Sequence, residues 1–257
     1  MDLHEAMERR HAVRLYTDEA VDDADLRELE NLIGRCNAES GLHCQMAHGL
    51  DDAFCGHATH YGRFRGVHNA VALIGPDQGT DPLTGIIDAG REPQASLQTR
   101  IGYFGERICL GIVQMNLETC WAVLDDPRDG WWSLIPGERL VCVLSFGHGA
   151  RAGGRHHSKP LDRLCAVPSH RAVPGWFREG VRAASLAPTS LSEQPFVFVL
   201  HEDDSVSIRP TEGLFAYVGA GCARCHFEIG AGGHHVRWRG RDADHATRSR
   251  EVALGPS

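Results

Sequence analysis

Residues 103–117 have almost no polar face. Ile108, Cys109, Leu110, Ile112, Val113, Met115 and Leu117 fall around nearly the whole circumference of a helix. A helix of that kind needs apolar cover on most sides, so the rest of the chain must build a core around it. A chain of 257 residues is long enough to do so. Its composition, 42% hydrophobic and 23% charged, is that of an ordinary globular protein. No run approaches the roughly 18 consecutive apolar residues of a membrane span, so no membrane partner is expected. The opening Met1-Asp2-Leu3-His4-Glu5 is acidic and lacks the apolar centre of a secretory leader, which predicts a cytoplasmic protein.

Around that helix the periodicities predict an α+β fold: a central mixed or antiparallel sheet flanked by helices. Residues 3–10 read as a short helix. Leu26, Leu29, Leu32 and Ile33 follow the carboxylates of residues 22–25 at helical spacing, which predicts a helix ending near Gly34. Residues 69–75 (NAVALIG) and 139–146 (RLVCVLSF) read as buried strands, and residues 75–102, rich in Gly and Pro, as a surface excursion. A second helix starts at Pro174 and carries Phe177, Val181, Ala184 and Leu186 before Pro188 stops it. Residues 196–200 (FVFVL) and 206–208 read as strands, and the final residues, charged and aperiodic, as a frayed tail.

The order of these elements repeats faintly. A helix ending at residues 32–36 runs into the polar stretch 37–45, and a helix ending at 181–185 runs into 186–194. Each is followed by strand, buried helix and tryptophan (Trp121, Trp238). Neither half can cover its own apolar face, so the two are expected to share one sheet and one core as a pseudo-dimer. Residues 1–165 form the first half, 166–240 the second, and 241–257 the tail.

Charge and cysteine usage narrow the functions. With 26 basic and 34 acidic residues the net charge is −8, which argues against nucleic acid as a partner. Lys159 is the only lysine, so nearly every cation is an arginine, suited to bidentate recognition of oxyanions. The nine cysteines are scattered, several within apolar runs, as small hydrophobes rather than a disulfide framework. Cys222-Ala223-Arg224-Cys225-His226 spells the haem-attachment pattern C-x-x-C-H, but the same residues fit a buried helix. The 16 histidines form no paired ligand spacing, so no metal site is expected. No P-loop, G-x-S-x-G or Rossmann fingerprint is present, so a nicotinamide nucleotide would enter as a diffusing substrate.

Four segments in order resemble the FMN-dependent nitroreductases. Arg9-Arg10-His11-Ala12-Val13-Arg14-Leu15-Tyr16-Thr17 is similar to that family's R-R/H-S-x-R-x-Y/F opening. The stretch from Ala187 through Pro188, Thr189, Ser190, Leu191, Ser192, Glu193 and Gln194 to Phe196 is similar to its A-P-S-x-x-N-x-Q-P-W segment. Gly102-Tyr103-Phe104-Gly105-Glu106 through Trp121 resembles a G-Y-x-G-E…G-L-x-T-C-W pattern, and Cys225-His226-Phe227 a C-H-F. These belong to a longer branch in which one chain carries both halves of the usual homodimer. The resemblance implies one FMN between the halves and hydride transfer from NAD(P)H to an electron-poor acceptor such as a nitroaromatic, quinone or enone. It implies Arg10, His11 and Ala12 at the phosphate, and Arg14 at the pyrimidine edge. There a fixed cation stabilises reduced flavin by on the order of 3 kcal/mol. It further implies Ala122, Val123 and Leu124 near N5, Pro188, Thr189, Ser190 and Ser192 along ribityl and ring, and Arg155 and Lys159 completing the phosphate clamp. No catalytic side chain is assigned. Ala12 stands where the family has Ser, and Gly219 where the long branch has Asp; the rival expectation is therefore a flavin-binding or storage protein without turnover. Internal pairing makes a monomer sufficient, with further dimerisation open.

Overall fold

In the computed structural model the apolar segment is the C-terminal part of α3 (Pro93–Gln114), and its cover comes from every side. Residues 1–76, 93–151, 153–154, 156–239 and 251–253 are described. The helices are α1 (Leu3–Arg9), α2 (Asp23–Ser40), α3, α4 (Gly175–Ala184) and α5 (Ala216–Gly230). The strands are β1 (Gln45–Ala47), β2 (Asn69–Pro76), β3 (Glu118–Ala122), β4 (Glu138–Gly147), β5 (Cys165–Pro168), β6 (Phe196–Leu200), β7 (Ser205–Pro210), β8 (Arg237–Trp238) and β9 (Glu251–Ala253). Among the described residues no helix is long and apolar enough to cross a membrane.

The α+β class holds, but the strands do not share one sheet. They form a four-stranded antiparallel sheet, β1-β2-β4-β3, and a five-stranded mixed sheet, β8-β7-β6-β5-β9. The reason lies in α3 and α5. The first packs on the four-stranded sheet, the second on β6 and β7, and the two helices pack on each other, keeping the sheets apart. One core nonetheless runs through both, from Val71, Leu73 and Leu144 across Ile101, Ile108 and Cys222 to Phe196, Phe198 and Phe227. Phe198 and Phe227 stack at 4.6 Å. Each such fully buried side chain stabilises the fold by about 1.5–3 kcal/mol. A smaller core on the opposite face of β2, built from Val13, Tyr16, Phe54 and Ile74, explains why that strand reads as an unbroken apolar run.

The helix pair crosses at two glycines. A Cβ on Gly102 would lie 2.1 Å from the Val218 carbonyl oxygen, and one on Gly221 would lie 2.2 Å from that of Thr99. Glycine inside a helix costs about 1 kcal/mol against alanine; here it lets two backbones touch.

Element boundaries differ from expectation where local signals were overridden. Helix α2 continues past Gly34 to Ser40 and ends at Gly41, whose left-handed φ of 67° caps it. Gly34 lies inside the helix with open space where a Cβ would stand, so no close approach marks it as a terminator. Helix α3 begins at Pro93, inside the segment expected as a surface excursion; the remainder of that segment, 77–92, lies outside the described residues. Within the expected tail, β9 pairs antiparallel with β5; residues 240–250 and 254–257 are outside the described set. The first helix is fixed by a capping box, Asp2 and Glu5 each accepting the other's backbone N–H at 2.9 and 3.1 Å.

Candidate active site

After α1 the chain leaves the helix and runs along the cleft, held by short bridges to neighbouring segments. Val13 and Tyr16 are buried, held by the Val13 N–H donating to the Thr119 carbonyl at 3.2 Å and by the Tyr16 hydroxyl bonding Val13 O and Ser145 Oγ. Ala12 and Arg14, on either side of Val13, face away from it, as local alternation about that residue gives. They join Arg10 and His11 on one wall of a cleft of about 310 Å³, at the lower end of the range typical of small-molecule and cofactor sites. A second wall is Cys120, Trp121, Ala122 and Val123 on and after β3. The third is the loop from Ser185 to Gln194 between α4 and β6.

That third wall is strained. Leu191, Ser192 and Gln194 hold φ of 51°, 58° and 45°, left-handed values that non-glycine residues rarely adopt. Gln194 holds the loop in place from inside. Its side chain donates to the Ser185 carbonyl at 2.7 Å and accepts from the Lys159 N–H at 2.6 Å, and its N–H donates to Thr189 Oγ1 at 3.0 Å. The Lys159 ammonium donates to the Gln194 carbonyl at 3.2 Å, so this lysine braces the wall from behind.

The electrostatics oppose those of the whole molecule. A chain of net charge −8 presents a cleft lined by Arg10 and Arg14, with no carboxylate among the described lining residues. Three buried polar atoms on this lining lack hydrogen-bond partners among the described residues: Arg10 Nε, Arg14 Nε and Ser190 Oγ. Leaving such a group without a hydrogen bond costs about 1–3 kcal/mol, and Arg10 Nε has only a long contact, 3.9 Å, to Glu106 Oε1. The Tyr61 phenol lies near enough to Ser190 for the hydroxyl to hold its pKa down a little, against the larger raising effect of burial, but not in hydrogen-bonding geometry with it. Arg14 also lies 5.8 Å from the Phe64 ring centroid, admitted by Gly62, where a Cβ would come 2.7 Å from Arg14 Nε.

At the mouth, the His11 and His156 rings sit 4.4 Å apart. Burial lowers the pKa of both; their mutual repulsion and Arg10 lower that of His11 further. Both are therefore predominantly neutral at pH 7, waiting on an anion to charge them. The cleft thiols go the other way: burial pushes Cys120 up to about 11 and Cys142 to about 12, so neither is a nucleophile near neutrality.

Of the residues expected from sequence, Arg10, His11, Ala12, Arg14, Ala122, Val123, Pro188, Thr189, Ser190 and Ser192 line this one cleft. Leu124 does not. It is buried in the smaller core, where its bridge to Thr59 continues the inward side of β3. Lys159 supports the cleft without lining it, because its ammonium is engaged by Gln194. Arg155 lies outside the described residues. Tyr61, His156, His157, Gln194 and Phe215 were not foreseen. Gln194 stood inside the segment 187–196; Tyr61 lies in an aperiodic stretch with no signal of its own.

A family model described as "Putative TM nitroreductase" matches residues 2–231. Among solved structures, a Thermotoga maritima protein described as a putative nitroreductase is 16% identical, with 88% of this chain and 82% of that one covered and a TM-score of 0.53. A nitroreductase family protein from Streptococcus pneumoniae is 12% identical over 63% of this chain and 98% of its own, with a TM-score of 0.50. A third, from Desulfovibrio desulfuricans and solved in complex with FMN, is 19% identical over 68% of this chain and 99% of its own, with a TM-score of 0.46. These likenesses are of fold. No curated protein matches the sequence.

Proposed function

The chain belongs to the TM nitroreductase family, and from its cleft we propose that it is an FMN-dependent oxidoreductase taking hydride from NAD(P)H and passing it to an electron-poor acceptor. The observation that carries this reading is the placement of Arg10 and Arg14 on one wall and Ser190 on another around a cleft with no carboxylate among its described lining residues. The donor set suits a phosphorylated flavin: arginines for anionic atoms, a hydroxyl for a neutral polar edge, and apolar Val123 and Leu191 along a ring. When bound, FMN would supply the redox chemistry, accepting and releasing hydride at N5 for two substrates in turn.

The residues do the rest. Arg10, with His11 and His156 beside it, would hold the phosphate, while Arg14 would stand at the pyrimidine edge as a fixed positive charge. Ala122 and Val123 would offer backbone beside the reacting edge. Pro188, Thr189, Ser190 and Ser192 would close the opposite side, and Leu191, left 64% exposed, would meet the incoming substrate. Ala12 offers no hydroxyl, so the phosphate would rely more heavily on Arg10 and His11. The cleft thiols are held protonated, and no carboxylate is among the described lining residues. Both walls come from one chain, so a monomer would suffice.

Anaerobic titration of the FMN-loaded protein with NADH or NADPH tests the reading. Bleaching of the flavin bands, restored by a quinone or nitroaromatic, is expected. A loaded protein that neither nucleotide bleaches would instead be a flavin carrier.

A further inference from the structure

Two sequence segments of the resemblance, the Glu106 end of the Gly102–Glu106 stretch and the Cys225-His226-Phe227 stretch, have no place in the flavin reading. The fold brings them together. Glu106 on α3 and His226 on α5 are both fully buried, with His226 Nε2 2.8 Å from Glu106 Oε1. Glu106 Oε2 accepts from Trp121 Nε1 at 3.1 Å, and Oε1 lies 3.9 Å from Arg10 Nε. His226 Nδ1 lies 3.1 Å from the Ala183 carbonyl oxygen.

The carbonyl decides the protons. It can only accept, so Nδ1 carries hydrogen. The short contact at Nε2 then requires a second proton, either on Nε2 facing a carboxylate or on Glu106 facing a bare nitrogen. Both arrangements give the pair the same total charge, zero. A bare carboxylate against a bare nitrogen would place two acceptors 2.8 Å apart without a donor. The other titratable groups around the pair are Arg10, Cys109 on α3, Cys222 and Cys225 on α5, and His156 across the cleft mouth. Burial holds the three thiols protonated, so they add no charge.

We infer that Glu106 and His226 are positioning residues that share one proton, stay jointly neutral, and so orient Arg10 without cancelling the charge it offers to an anion in the cleft. This rests on the proposed flavin site only for the identity of that anion. Without His226, Glu106 would be a buried carboxylate whose nearest cation is Arg10, and the guanidinium would turn from the cleft to pair with it. With Gln at 106, the amide oxygen can still accept from Trp121, the amide nitrogen can donate to a neutral His226, and Arg10 keeps its charge.

The test is an equilibrium FMN titration of flavin-free protein, comparing wild type, His226→Gln, Glu106→Gln and the double variant. His226→Gln should weaken FMN binding about tenfold or more, the scale of losing a charge-assisted contact. Glu106→Gln should stay within about threefold of wild type, and adding Glu106→Gln to His226→Gln should restore most of the loss. Equal losses in both single variants, deepening in the double, would mean a purely structural pair and overturn the inference. A second measurement needs neither variants nor flavin: nitrogen-15 spectra of the wild-type His226 ring should show hydrogen on Nδ1. A ring protonated at Nε2 alone would equally overturn it. Wild-type protein that fails to take up FMN would sink the flavin reading, while the ring spectrum would still decide the pair.

Discussion

The polar stretches at the C-terminal ends of α2 and α4 differ in how they are held. The first, residues 37–45, is the last turn of α2 and its exit into β1, and is closed upon itself. Asn37 donates to the Cys44 carbonyl at 2.9 Å and accepts from its N–H at 2.8 Å; Ser40 Oγ donates to Cys36 and accepts from Leu42; and Arg100 reaches the Ser40 carbonyl at 3.1 Å. Its one left-handed residue is a glycine, Gly41. The second, residues 185–194, places left-handed φ on Leu191, Ser192 and Gln194 and leaves Ser190 Oγ buried without a bond. Strain of this kind costs roughly 1–3 kcal/mol per residue and persists where surrounding structure enforces it. The loop that satisfies its own groups has become scaffold, and the loop that does not faces the cleft.

Parallel substitutions sharpen this contrast. The largest effect should come from Gln194, set against Gln45 at the corresponding end of the other stretch. Gln194→Ala removes buried bonds to Ser185 and Lys159 and should cost about 3 kcal/mol in urea denaturation, with loss of FMN binding. Gln45→Ala removes exposed bonds to Ser133 and should cost under about 1 kcal/mol. Equal losses would break the comparison. Next come the serines. Ser40→Ala should cost about 1 kcal/mol of stability and leave FMN affinity unchanged, whereas Ser190→Ala should leave stability within about 0.5 kcal/mol and weaken FMN several-fold. Leu191→Gly should then raise stability by about 0.5–1 kcal/mol by relieving its backbone, at the expense of the apolar rim.

The smallest effect is in pH. His11 and His156 have lowered pKa values without ligand, chiefly from burial, and a bound phosphate would raise them. Groups raised on binding strengthen it below their free values and lose that contribution as pH rises through the bound ones. FMN affinity should therefore increase a few-fold from pH 8 to pH 6 while riboflavin affinity stays flat. A flat FMN profile would remove the histidines from the phosphate.

Much of this was legible in the chain. The all-apolar face of residues 103–117 dictated a central buried helix, and the motif pair at residues 9–17 and 187–196 supplied opposing walls of one cleft. Arg10, Arg14 and Ser190 were expected together from the family resemblance rather than from residue type, and they line one cleft. What stayed hidden depends on contacts between distant residues. Tyr61 reaches the cleft from a loop with no period, and Leu124, expected beside the cleft, packs instead in the smaller core that also holds Ala122. Separation into two sheets follows from α3 and α5 packing together, which only the Gly102–Gly221 contact makes close enough, and that pairing spans more than a hundred residues of chain.

The central claim is that Arg10 and Arg14 hold a flavin phosphate and ring against the loop from Ser185 to Gln194. A fluorescence titration of flavin-stripped protein with FMN tests it most directly, run on wild type and on the Arg10→Ala/Arg14→Ala variant. Quenching that saturates at one FMN per chain, with affinity lowered at least about tenfold in a variant that unfolds at an unchanged urea midpoint, is the predicted result. Wild type and variant binding FMN equally, or wild type not binding it, would contradict the account.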